Sequence, residues 1–212
     1  MSHRLSALIE SIRHNDVAMA QALLAIDQNL ANQSMRMDWD TYNCAPQPIF
    51  PAQWAVRQQS LPLLTLLHLN GAKLQVCLTL RYNGKSLSLL GIACTSYGES
   101  PNTAIVEYLF QHGLPLGQVW SEQLMWRFAS PSWGNFLEVL ELFHRHGQDV
   151  NATDEKGKTA LQLCNEALLS LAKDPRGSMS CGYPRNQELI SSYAKWLESK
   201  GGKAFQKAKA AA

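Results

Sequence analysis

Apolar residues recur along most of the chain at helical spacing, and the recurrences come in pairs parted by short polar turns. Leu5, Leu8, Ile9 and Ile12 mark one helix; after the turn His14-Asn15-Asp16, Ala20, Leu23 and Leu24 mark a second. The segment 51–58 predicts a short helix with proline in its first turn, where a missing N–H costs nothing, and 62–70 a leucine-rich partner. A third pair is predicted within 88–113, with Ala93 and Cys94 as small residues on its first helix and Ile105, Val106, Leu109 and Phe110 on its second. A fourth runs within 124–147 and carries Val139, Leu140, Leu142 and Phe143. A fifth opens at Thr159 and closes with a helix over 187–200, with Leu189, Ile190, Tyr193, Ala194 and Leu197 inward.

Between the pairs lie longer segments, 33–49, 74–87, 114–123 and 174–185. The second alternates Val76, Leu78, Leu80, Tyr82 up to Asn83-Gly84, which predicts a β-hairpin with a tight turn. The second helices run into glycine at Gly71, Gly113, Gly147 and Gly201, the residue suited to a left-handed C-terminal cap.

The stretch Asp149-Val150-Asn151-Ala152-Thr153-Asp154-Glu155-Lys156-Gly157-Lys158-Thr159-Ala160-Leu161 carries more than a generic helix boundary. It resembles the junction between two ankyrin repeats: a helix closed by Gly147, a "DVNA" exit, a turn through Gly157, and Thr159 capping the next helix. Pro51, Ala55, Leu64, Leu67, Gly71 and Ala72 match the same family pattern. The resemblance implies an all-α ankyrin-repeat solenoid of paired antiparallel helices with β-hairpin fingers. It would form a single domain over 1–212, with repeats near 4–32, 33–75, 76–116, 117–150 and 151–202 and a basic, alanine-rich tail at 203–212. The anchors from Asp27 to Gly201 are spaced by roughly 44, 42, 34 and 54 residues, against about 33 in a regular unit, so the excess falls in fingers and turns.

Composition narrows the chemistry. The chain has 212 residues, 46% of them hydrophobic, and a formal net charge of +2, too small for a nucleic-acid or membrane-surface protein. Its one basic cluster, Lys200, Lys203, Lys207 and Lys209, reads as a solvated tail. Cys44, Cys77, Cys94, Cys164 and Cys181 form no C-x-x-C pair and read as reduced thiols of a cytoplasmic protein, Cys94 and Cys164 buried and inert and Cys181 exposed. The N-terminus lacks the apolar core of a secretory signal, no run is long enough to span a membrane, and export by a signal-independent machine stays open.

His144 and His146 are two apart on a helix and cannot share a metal; like His68 and His112 they read as helix C-terminal residues. There is no phosphate loop, no G-x-S-x-G and no H-E-x-x-H, and Asp38 and Asp40 around Trp39 are as well explained by a polar finger as by acid–base work. No enzyme, cofactor or metal is expected.

The six tryptophans are the stronger signal. Trp39, Tyr42, Trp54, Tyr82, Tyr97, Trp120 and Trp133, with Arg57, Gln58, Arg81 and Arg127, fall in fingers, turns and first helices. In the resembled family these form the concave face that binds other proteins, and Trp, Tyr and Arg supply most interface energy. Trp39, Trp54 and Tyr82 are balanced between partner contact and finger packing; Trp126 and Trp196 read as packing residues. Gly71, Gly113, Gly147, Gly157 and Thr159 are read as structural repeat positions. The function implied is non-catalytic: a stoichiometric binder or inhibitor of one protein, of immunity type and bacterial. An adaptor or host-directed effector is the alternative, and a small-molecule or catalytic site under the 174–185 loop a third.

Overall fold

Six of the described helices end on a residue in the left-handed region, Asn15, Gln59, Gly71, Gly113, Gly147 or Gly201, and the positions of these residues define the architecture. The computed structural model describes residues 3–39, 44–79, 86–95, 102–114, 137–153, 157–173 and 187–204. The described residues are mostly helical, with two small antiparallel sheets of two strands each among them. It divides into two units, residues 1–96 with 101–114, and residues 97–100 with 115–212.

In the first unit, α1 (His3–Arg13) packs on α2 (Val17–Ile26), α3 (Pro51–Arg57) on α4 (Leu61–Leu69), and α5 (Leu89–Thr95) on α6 (Thr103–Gln111). The first members of the pairs lie in one row, α1 beside α3 and α3 beside α5, while α2 lies beside α4 in a second row. Burial follows the predicted stripes: Leu5, Leu8, Ile9 and Ile12 on α1, Leu63, Leu64 and Leu67 on α4, and Ile105, Val106, Leu109 and Phe110 on α6. A 3-10 turn (Gln28–Asn32) leads to β1 (Met35–Trp39), which pairs antiparallel with β2 (Cys44–Ile49). β3 (Cys77–Thr79) pairs with β4 (Ser86–Ser88), Leu78 opposite Leu87. This hairpin sits where the alternation predicted one; Asn83-Gly84 lies outside the described residues.

Several helix starts are capped by side chains that accept from otherwise orphaned backbone N–H groups. Asp16 accepts from the Met19 N–H (2.9 Å), and Asn102 from that of Ala104 (3.1 Å). At the other ends, α4 and α6 close on Gly71 (φ +85) and Gly113 (φ +75). In α4 the Gly71 N–H donates to His68 O (2.9 Å) and the Ala72 N–H to Leu67 O (3.0 Å), a Schellman closure. α1 and α3 close in the same way on residues that are not glycine, Asn15 (φ 54) and Gln59 (φ 55). Both side chains then bond to the next pair. Ser60 Oγ donates to Asn15 Oδ1 (2.6 Å), and the Asn102 N–H donates to Gln59 Oε1 (2.8 Å).

In the second unit, α7 (Leu137–Arg145) closes on Gly147 (φ +85), and α8 (Ala160–Lys173) packs on α9 (Gln187–Ser199), which closes on Gly201 (φ +81). Thr153 and Thr159 form an isolated antiparallel bridge around Gly157 (φ +72). Thr159 Oγ1 accepts from the Gln162 N–H (3.2 Å), capping α8 as predicted, and donates to Lys203 O (2.7 Å).

One clasp occurs in both units. Asn32 Nδ2 donates to Gly71 O (2.7 Å) while its Oδ1 accepts from the Lys73 N–H (2.9 Å). Asn151 treats the chain leaving α9 identically, donating to Gly201 O (3.2 Å) and accepting from the Lys203 N–H (2.7 Å). Each amide thus completes the exit from the helix that closes the following pair. Asn151→Ala loses both bonds, at about 1–2 kcal/mol for two exposed hydrogen bonds, and Asn151→Asp, which keeps only the acceptor arm, loses less. Urea denaturation should order the three proteins in that way; equal midpoints would mean that the clasp contributes nothing.

Candidate functional site

The residues proposed from sequence whose side chains are described meet at the C-terminal end of α3. Pro51 occupies the first turn, and the Gln53 carboxamide oxygen accepts from the Phe50 N–H (2.8 Å), so the helix begins without an orphaned donor there. Residues 51–56 are all buried, since α3 is flanked by α1 and α5. Arg57 follows Trp54 by three positions and lies on the same side, with its Cζ 5.1 Å from the indole centroid. Arg13, the last residue of α1 as Arg57 is of α3, brings its Cζ to 5.7 Å from the same ring. Arg13 also meets Glu10, Nη1 to Oε1 at 2.8 Å, on a half-exposed side chain. Gln58 is exposed beside them.

Of the two readings of Trp54, partner contact and packing, its burial favours packing: it is only 4% exposed. The helix row packs against α3 on both flanks, and guanidinium groups from two helices lie over the ring. A tryptophan in that place is a floor, and the arginines are what it presents. Arg13 was missed. Arginine ends the first helix of each of the first two pairs, a recurrence present in the sequence.

Trp39 is the last residue of β1, opposite Cys44 in the register. Tyr42, Arg81, Tyr82, Tyr97, Trp120, Arg127 and Trp133 lie outside the described residues, as do Asp40, Trp126 and Cys181. Among the described residues, Gln47 joins β2 to β3: its Nε2 donates to Thr79 O (3.0 Å) and its Oε1 accepts from the Thr79 N–H (2.8 Å). With Pro46 and Pro48 on either side of it, β2 is short of backbone donors for a further strand, and the Gln47 amide takes the place of a peptide group.

The histidines form contacts of one kind between successive closing helices. His68 on α4 meets Tyr108 on α6 edge-on, with ring centroids 5.8 Å apart and a 2.7 Å hydrogen bond between Nδ1 and the hydroxyl. His112 donates from Nδ1 to Tyr108 O (2.8 Å), its ring 4.5 Å from that of His68. In the second unit, His144 on α7 meets Trp196 on α9 edge-on at 6.1 Å. Trp196 Nε1 donates to Glu141 Oε2 (2.8 Å), and Lys200 Nζ to Glu141 Oε1 (3.0 Å). Those bonds, from Lys200 first and then Trp196, hold the Glu141 carboxyl below its ordinary pKa. Tyr108 and Trp196 each stand five residues before the closing glycine, and His68 and His144 three before theirs.

Among the described residues, no group of three or more His, Cys, Asp or Glu side chains comes together as metal ligands would, and no helix is long and apolar enough to cross a membrane. Cys94 and Cys164 are buried, and burial pushes the Cys164 thiol up to about 12, so it stays protonated and unreactive at neutral pH; Cys77 is exposed. No protein-family model matches the chain, and no curated protein matches it.

Two outcomes follow from this geometry. Trp54→Ala should cost about 3 kcal/mol or more in stability, as aromatic truncations in a core do, whereas Gln58→Ala should leave the melting temperature unchanged. An unchanged melting temperature for Trp54→Ala would return the indole to the surface. Burial first, and then the nearby His112, lower the pKa of His68. The unfolded chain therefore takes up a proton at this residue near pH 6.5 that the folded chain resists. Its contribution is present above that pH and lost as the pH falls through the folded-state value, so His68→Gln should show a shallower loss of melting temperature between pH 7 and pH 5 than the parent. Parallel curves would exclude His68 as a source of the acid sensitivity.

Proposed function

We propose that the chain is a degenerate ankyrin-like solenoid of about five repeats, acting without catalysis as a stoichiometric binder or inhibitor of one partner protein, in the manner of an immunity protein. The observation that carries this reading is recurrence. The same asparagine clasp, glycine closure and edge-on histidine–aromatic contact occur in each unit, between elements one repeat apart in the sequence. A chain built by repeating one unit presents equivalent positions side by side, which makes an extended surface and not a closed pocket. Binding would use the hairpin fingers and the α1, α3, α5 row, and the protein would work in the cytoplasm.

The test is co-purification with the products of neighbouring genes, read by native mass spectrometry. A one-to-one protein complex is the expected result. In that complex, alanine at Trp39 or Tyr82 should weaken binding by about thirtyfold, near 2 kcal/mol, at an unchanged melting temperature. Full affinity in both variants would remove the fingers from the interface. A chain that carries a retained small molecule and no protein would overturn the reading as a whole.

A further inference from the structure

We infer that the uncovered face of α2 and α4 is a docking surface in its own right, and that it takes an amphipathic helix of another protein, with an apolar stripe of about three turns and a Lys or Arg at each end. The surface is separate from the fingers and from the α1, α3, α5 row, so the inference goes beyond the reading given above.

α2 and α4 lie side by side, and α1 and α3, themselves neighbours, cover them from one side. Apart from Gln21, Thr65 and His68, every residue of the two helices is apolar, and none is Asp, Glu, Lys or Arg. A helix that is apolar all round belongs in a core. Yet α2 buries only Ala20 and Leu24, and α4 only Leu63, Leu64 and Leu67. What is left uncovered forms a stripe at i, i+4, i+7 spacing on each helix: Met19, Leu23 and Ile26 on α2, and Pro62, Leu66 and Leu69 on α4. Met19 is 51% exposed, Ile26 64% and Leu69 80%, which makes three of the four large apolar side chains that stand in the open among the described residues. Scattered single residues need no partner, but two neighbouring stripes do.

Backbone groups decide the form of the occupant. A face made of two helices has no free N–H or C=O to pair with an extended strand, whereas a helix brings its own backbone already satisfied and lays a ridge of side chains between the two. Size argues against a second copy. Helices of ten and nine residues, about 10 Å apart, present a face of roughly 15 Å by 20 Å. A self-dimer through it would bury about 600 Å², half of what a stable interface needs.

Charge fixes the ends. Asp16 and Asp27 cap α2 at its two ends, about 16 Å apart along the axis, while the caps of α4 are the neutral Ser60 and Asn70. One oxygen of Asp16 accepts from the Met19 N–H (2.9 Å), and one of Asp27 from the Asn29 N–H (3.0 Å). The second oxygen of each carboxylate is left for a cation, so a helix with a basic residue at either end matches the face. An anionic lipid surface would meet the same two carboxylates, with no lysine or arginine on either helix to hold it.

The probe is a fluorescent, end-blocked helical peptide with a three-turn leucine stripe and two lysines at each end, titrated by anisotropy against the full chain beside a twin that carries glutamates at its ends. The lysine-ended peptide should bind saturably, and its twin about tenfold more weakly. Ile26→Gln and Leu69→Gln, both at exposed positions, should each weaken binding by about tenfold at an unchanged melting temperature. Asp16→Asn and Asp27→Asn keep the caps, since asparagine caps as well as aspartate does; each should cost about threefold with the lysine-ended peptide and narrow the gap to its twin. No saturable binding, binding indifferent to Ile26→Gln and Leu69→Gln, or equal binding of the two peptides would overturn the proposal. A dimer in sedimentation that Leu69→Gln dissolves would overturn it in favour of a second copy, and pelleting with phosphatidylserine vesicles that the same variant abolishes, in favour of a lipid surface.

Discussion

The structure depends on the left-handed residues that close α1, α3, α4, α6, α7 and α9. A helix of seven to eleven residues, the range from α3 to α1, gains little by itself, because nucleation is costly and a third or more of its backbone groups lie at the ends. It persists only when a neighbour covers its apolar stripe, and the neighbour must therefore follow within a few residues. The Schellman closure meets both demands at once: it satisfies the last carbonyls and reverses the chain. Where the closing residue also has to reach the next pair, it is Asn15 or Gln59, whose side chains can bond to it. Where nothing is reached, it is glycine, as at Gly71 and Gly147, with no atom within 4 Å of a would-be Cβ. The conformational cost of a non-glycine residue with φ near 55°, of order 1 kcal/mol, is offset by a hydrogen bond between pairs.

Apolar burial alone would leave successive pairs free to slide, because leucine stripes such as Leu63, Leu64 and Leu67 have no directional preference. The polar contacts supply direction. Asn32 and Asn151 fix the exit strand of one pair against the next, Gln47 fixes one hairpin against the other, and the histidine–aromatic contacts fix successive closing helices. Each is worth little as a net energy, yet each is satisfied in one register only. Such contacts also tolerate the irregular spacing of this chain, since extra residues in a finger or turn leave the bonded positions untouched and add little loop entropy.

Much of this architecture was legible in the sequence, for physical reasons that also mark its limits. Helix positions followed from apolar periodicity and glycine from the need for positive φ, so 51–58 was observed as Pro51–Arg57 and 62–70 as Leu61–Leu69. The hairpin with Leu78 inward followed from alternation. The asparagine clasps were not legible, because a side chain that bonds to backbone some forty or fifty residues away leaves no local pattern. Nor was the burial of Trp54. Periodicity placed it on α3, but the sequence could not say that α1 and α5 would close on both flanks of a helix only seven residues long.

That burial changes what an aromatic residue in such a row can do. A tryptophan exposed on an inner helix would bind through its own area, and would also offer a lone hydrophobic surface to any passing chain. Sunk beneath two guanidiniums, it gives up that area and instead orders the groups above it. What covers α3 there is then cationic and not apolar, although the residue is the same and the helix unchanged. Its position between α1 and α3 matters as much as its chemistry, because only a ring shared by two helices can hold an arginine from each. The surface over Trp54 is therefore a property of the packed pairs and not of either helix alone.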